Sequence, residues 1–231
     1  MTGGALTLRN NARLAGVAYL VYIAAGISNE ILMHRATAGD GAAAVLARIA
    51  EYAIDVRIAI LLKLLECFSA FVIGVTLFAI TRDVDRELAL LAMLCRIAEG
   101  AMIGAILVPT YVGLLWLATS QTDANALDAA TVNTLMQSLM MPVGPVGAIF
   151  FAVGMTIFSY LLLLGRLIPV WLAGLGLFSS VLLAIGLPLQ LAGFGFLSGP
   201  LAAIQWVPEM IFTGMFALWL LVKGVRVNSG Q

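Results

Sequence analysis

The chain has 231 residues, 62% of them hydrophobic and 10% charged, with twelve basic and twelve acidic side chains and no net formal charge. Soluble domains carry about 25% charged residues, so this composition excludes a soluble globule and an electrostatic nucleic-acid binder and predicts an integral membrane protein. Two cysteines inside apolar runs, Cys67 and Cys95, and one histidine, His34, exclude a disulfide framework, a four-ligand zinc site and the histidine-rich iron sites of membrane desaturases.

A membrane-crossing helix needs about 20 mainly apolar residues. Six segments meet this, at about 14–33, 58–80, 88–118, 143–164, 170–191 and 201–222. They predict an all-α polytopic fold, one membrane domain over residues 1–231, with six transmembrane helices. Arg9 and Arg13 before an apolar run imitate a secretory signal. The run is near full spanning length, and its removal would leave an odd number of spans, so it is read as the first span. The first connection, Ala42 to Ala53, reads as a short amphipathic helix with Val45, Leu46 and Ile49 on one side. The third span is long enough to bend at Pro109. A second amphipathic helix is expected over Ala126 to Met140, with Asn125 as its N-cap. Both are expected outside the membrane, covering a cavity between spans. The run Met140 to Pro145 reads as a turn or gate before the fourth span. With the N-terminus inside, Arg9, Arg13, Arg82, Arg86, Arg166, Lys223 and Arg226 share one side and Arg35, Arg48 and Arg57 the other. That imbalance predicts both termini in the cytoplasm.

Five ionisable residues fall within spans: Lys63 and Glu66 in the second, Arg96 and Glu99 in the third, Glu209 in the sixth. Each costs about 2.5–3.5 kcal/mol at a helix centre, so the charged heads must face protein or water. Helical spacing puts Lys63, Glu66, Cys67, Ala70 and Gly74 on one face, Arg96, Glu99 and Gly100 on another, and Gln205, Glu209 and Thr213 on a third. Rise per residue places the three glutamates at one depth, where they can meet. Lys63 with Glu66 and Arg96 with Glu99 are i,i+3 pairs, which either join helices or position carboxylates. Pro208 before Glu209 is expected to break the helix and open a pocket there. Tyr19, Tyr22, Gly26 and Asn29 form a stripe on the first span, read as packing, and Glu30 lies near its end. Gly100 and Gly104 form a GxxxG pattern.

The turn Gly165, Arg166, Leu167, Ile168, Pro169, followed by Val170, Trp171, Leu172 and Ala173, resembles the Ser-Arg-Leu-Ile-Pro-Arg-Trp-Leu turn of the DUF4386 family. Gly165 and Val170 depart from its Ser and Arg. Arg57 and the span after it, the turn from Arg82 to Leu88, Arg96, and the closing Trp219, Leu220, Leu221, Val222, Lys223, Gly224 are similar to that family too. The resemblance covers about Arg13 to Arg226. It implies a bacterial multi-pass protein of the cytoplasmic membrane and brings no catalytic residues with it.

The expected site is a pocket for a hydrophobic ligand between the second, third and sixth spans. Glu66, Glu99 and Glu209 are its candidate acid-base residues. Lys63, Arg96, Gln205 and Thr213 are its candidate ligand-binding residues, with Lys63 and Arg96 holding a headgroup or fixing carboxylate charge. No cofactor or metal is expected. Expected partners are membrane lipids and a lipid or isoprenoid-like molecule, with homo-oligomerisation left open and nucleic acid excluded. Proton- or ion-coupled transport through the glutamates and a purely structural membrane subunit are the alternatives.

Overall fold

A computed structural model describes residues 2–120, 134, 144–194 and 204–226. Among these residues every regular element is helical. The order is α1 (Thr2–Thr37), α2 (Ala42–Glu51), α3 (Ala53–Thr81), α4 (Arg86–Met102), a π-helical turn (Ile103–Leu107), α5 (Val108–Ser120), α6 (Gly144–Leu164), α7 (Val170–Leu191) and α8 (Val207–Val222). Five stretches are long and apolar enough to cross a membrane: Leu8–Thr37, Ala53–Thr81, Arg86–Thr119, Val146–Leu164 and Val170–Leu191. They fit an integral membrane protein. Helix α8 is apolar but has 16 residues, about 24 Å at 1.5 Å per residue.

Six helices close into a ring. Helix α1 packs on α3, α3 on α4, α4 on α6, α6 on α7, α7 on α8, and α8 returns to α1. At the end of the ring near the termini the centre is filled by Tyr19, Leu77, Met155, Phe158, Phe212 and Phe216, all fully buried. Tyr19 and Phe216 meet edge to face, and Phe216 stacks on Phe212. Gly16 brings α1 onto the backbone of α8 at Ala217 and Leu221.

Both tight turns at this end are capped by the chain itself. Asp85 caps α4 by accepting a 3.0 Å hydrogen bond from Leu88 N–H. In the second turn, Arg166 adopts a left-handed conformation with φ 50°. Leu167 N–H then reaches the Leu162 carbonyl and Arg166 N–H reaches Leu163, the double bond of a Schellman cap. Gly165 is needed because a Cβ there would overlap the Val84 side chain. The C-terminal segment closes similarly, with Gly224 at φ 70° and its N–H on the Trp219 carbonyl. Arg226 N–H bonds the Leu167 carbonyl, and Gly224 lies beside Arg9. The termini and both turns therefore share one end of the ring.

Several expectations change. The long third segment is interrupted by the π-turn, one turn before Pro109. Pro109 has no N–H to offer the Ala105 carbonyl, and Val108 N–H bonds Ile103 five residues back. Helix α2 forms as expected, but Val45, Leu46 and Ile49 pack with Met33, Leu114 and Leu117 and contribute nothing to the central cavity. It ties α1 to α5 instead of covering a pocket. In the sixth segment Ile204 is helical, a turn follows at Gln205 and Trp206, and α8 starts at Val207; residues 201–203 lie outside the described residues. The second amphipathic helix, Ala126 to Met140, also lies outside them, as does most of the Met140 to Pro145 run. Gly100 of the GxxxG pattern packs on Phe71 and the Cys67 carbonyl of α3, so the motif serves this chain's own ring.

Two substitutions test this packing by thermal unfolding in detergent. Gly16→Leu should destabilise by about 1–3 kcal/mol through overpacking of α1 on α8. Arg166→Gly should stabilise by about 1 kcal/mol, because glycine adopts the left-handed cap without the Cβ clash.

Candidate functional site

The opposite half of the ring is hollow. A cavity of about 810 Å³ lies between all six helices, within the size range of small-molecule sites. Most of its wall is apolar, from Ile23, Ile103, Leu107, Ala148 and Leu187 among others. Five ionisable side chains line it: Glu30, Lys63, Glu66, Glu99 and Glu209. Along one edge Ile27 and Ile31 of α1 and Met210 of α8 are 45%, 58% and 56% exposed. The cavity therefore reaches the outer surface between α1 and α8, beyond the point where Gly16 holds those helices together.

Each buried carboxylate has its own partner. Lys63 donates to Glu66 Oε2 at 2.8 Å, and Gly26 of α1 leaves room beside the Glu66 carboxyl. Tyr22 donates to Glu99 Oε1 at 2.6 Å, while Glu99 Oε2 forms an ion pair with Arg96 Nη1. Ser179 of α7 donates to Glu209 Oε2 at 2.6 Å, and Thr213 donates to Oε1 at 3.3 Å. Among these three buried carboxylates, Glu209 of α8 is held by hydroxyls and not by a cation.

Arg96 is fully buried behind Glu99 and does not line the cavity. Its guanidinium sits 5.3 Å from the ring centre of Tyr22 and 4.9 Å from that of Phe151. The two aromatic faces offer cation–π stabilisation of about 0.5–2 kcal/mol each where Nε and Nη2 find no acceptor. Gly74 of α3 abuts the Arg96 Cβ, and Gly154 of α6 abuts Cys95 and the Arg96 stem. Small residues on both neighbours thus make the room that this side chain occupies.

The glutamates share one cavity, as their depth suggests, without touching one another. The expected sixth span is interrupted by the turn at Gln205 and Trp206, and Pro208 follows that break. It stands in the first turn of α8, where its missing N–H would have had no helical partner in any case. Glu209 follows in that same turn, so its carboxylate lies at the positive end of the helix and not at mid-helix. Thr213 lines the cavity and bonds Glu209. Gln205 does not line it. Its amide is buried against Gly186, with no partner among the described residues.

Tyr22, read as packing, and Glu30, noted only near the end of its span, belong to the site. Tyr22 bonds Glu99 directly, and Glu30 stands at the cavity edge. Their spacing on the stripe with Gly26 carries the signal, but only the approach of α4 identifies Tyr22's partner. Asn29 on that stripe is structural, donating to the Ala59 carbonyl at 3.0 Å and accepting from Tyr111 at 3.1 Å. Among the described residues no three His, Cys, Asp or Glu side chains converge as a metal-ligand group.

Arg96→Leu should destabilise by about 3–5 kcal/mol, because Glu99 is left charged and buried. Arg96→Leu with Glu99→Leu should recover most of that loss, since an apolar pair of similar volume carries no uncompensated charge. Thermal unfolding of both variants in one detergent checks the sign and the recovery.

No curated protein and no solved structure is detectably similar to this chain. The model of a domain of unknown function, DUF4386, matches residues 14–224. That match takes in the helical ring apart from the first twelve residues of α1, together with both caps, and the chain belongs to the DUF4386 family.

Proposed function

We propose that this protein is a multi-pass protein of the bacterial cytoplasmic membrane that binds a single lipid or isoprenoid-like amphiphile in the central cavity and acts on it by acid-base chemistry. The observation that carries the reading is a greasy cavity open sideways between α1 and α8, with carboxylates on its inner wall. In a bilayer that opening faces the hydrocarbon, so an amphiphile enters without crossing water. Its chain lies against the apolar wall while its head reaches Glu66, Glu99 and Glu209.

Within this proposal α8 makes the sixth crossing and both termini are cytoplasmic. Support comes from Arg9, Arg166 and Arg226, which lie at the terminal end of the ring with the Arg82 turn, as the positive-inside rule requires of a cytoplasmic face. Glu99 is the favoured proton donor or acceptor: it lines the cavity, and Tyr22 and Arg96 hold it in one orientation. A transport path through the ring is the weaker reading. Beyond Arg96 the centre is filled by Tyr19, Phe158 and Phe216.

Mass spectrometry of protein purified in several neutral detergents should find a retained amphiphile. It should be lost from Ile27→Trp and Met210→Trp variants that still unfold at the wild-type temperature. After incubation in D2O the retained molecule should gain mass in wild type and not in Glu99→Gln. An empty cavity in every detergent would overturn the binding reading, and equal deuterium uptake in Glu99→Gln would overturn the assigned role of Glu99.

A further inference from the structure

We infer that the amphiphile carries a cationic head, and that the cavity takes a long-chain or isoprenoid amine whose ammonium group is held by Glu209. This deepens the reading of the cavity as an amphiphile site and rests on it.

The argument is one of charge. Lys63 is the cation of the cavity wall, and it is spent on Glu66 at 2.8 Å. Arg96 is paired with Glu99 and shut behind it. Glu209 is 2% exposed and receives only the Ser179 and Thr213 hydroxyls, while Glu30 has no ion-pair partner among the described residues. Two cavity carboxylates are thus without a cation, and no cation of the cavity wall is unpaired. Residues 121–143 and 195–203 contain no Lys, Arg or His, and the first of these stretches adds Asp123 and Asp128.

The bases of the adjoining segments, His34, Arg35, Arg48 and Arg57, do not line the cavity. Arg35 lies 3.6 Å from Asp55, and Arg48 donates to the Arg35 carbonyl and covers the Tyr52 ring. A phosphate or carboxylate head entering the cavity would meet fixed negative charge with no free cation in the cavity wall, a repulsion that works as specificity. An ammonium meets the reverse. With no converging set of three ligating side chains among the described residues, Glu209 offers a hard metal ion two oxygens, far short of the six or more that such ions take. One carboxylate beside an apolar wall suits an organic cation with a chain attached.

The test uses the full chain in neutral maltoside micelles, titrated with dodecylamine, dodecanol and dodecyl phosphate, three heads on one chain length. Dodecylamine should bind at least about tenfold more tightly than dodecyl phosphate, the scale of one charge-assisted hydrogen bond. Glu209→Gln should lower dodecylamine affinity by a similar factor and leave dodecanol unchanged. Glu30→Gln, at an exposed position where folding is not at stake, should lower it by a smaller factor. Dodecyl phosphate binding as well as dodecylamine, or amine affinity unmoved in both variants, overturns the cationic head and leaves the amphiphile cavity standing. Failure of all three probes to bind overturns both. The ranking of heads on the unaltered protein decides the question even if Glu209→Gln does not fold.

Discussion

The structure is organised around one buried charge, the guanidinium of Arg96. Moving a free ion of this kind into hydrocarbon is so costly that it survives only if every side is answered. Glu99 answers it electrostatically, one turn along the same helix. Tyr22 from α1 and Phe151 from α6 answer it with aromatic faces. Gly74 of α3 and Gly154 of α6 answer it sterically, by having no side chain where the arginine runs. Four helices of the ring are thereby held in register about a single side chain.

The same residue divides the ring. On the terminal side, Tyr19, Phe158, Phe212 and Phe216 fill the centre at the density of a normal core. On the other side the walls stay apart, and the carboxylates of α3, α4 and α8 look into the space. Tyr22 touches both regions, with its ring on Arg96 and its hydroxyl on Glu99. A ligand that displaced or strengthened that hydroxyl contact would act on the element that holds the helices together. Glu99 is therefore tied to the helix packing through Tyr22 and Arg96, whereas α7 and α8 hold Glu209 with neutral hydroxyls.

The two stretches most distinctive of the family lie elsewhere. The turn around Arg166 and the closing run to Gly224 are both helix caps built on left-handed residues, and Arg226 N–H ties one to the other at the Leu167 carbonyl. They fix where α6 and α8 stop and hold the basic end of the ring together.

Composition and periodicity by themselves determined the class, the approximate apolar segments, the amphipathic α2 and the identity of the buried charges. These depend on local spacing and on transfer energies that the chain carries wherever it folds. The i,i+3 pairs Lys63–Glu66 and Arg96–Glu99 were legible for the same reason, since one helix contains both partners. Tertiary structure alone decided the rest. Helical spacing cannot say that Tyr22 would meet Glu99 across 77 positions of sequence, or that Arg96 would be shut behind the cavity while Lys63 faces it. Nor can it place Pro208 in the first turn of a helix, because that depends on where α8 starts. The π-turn before Pro109 likewise follows from a hydrogen bond that the chain must reroute, and its place in the wall follows from the packing of α4 against α3 and α6.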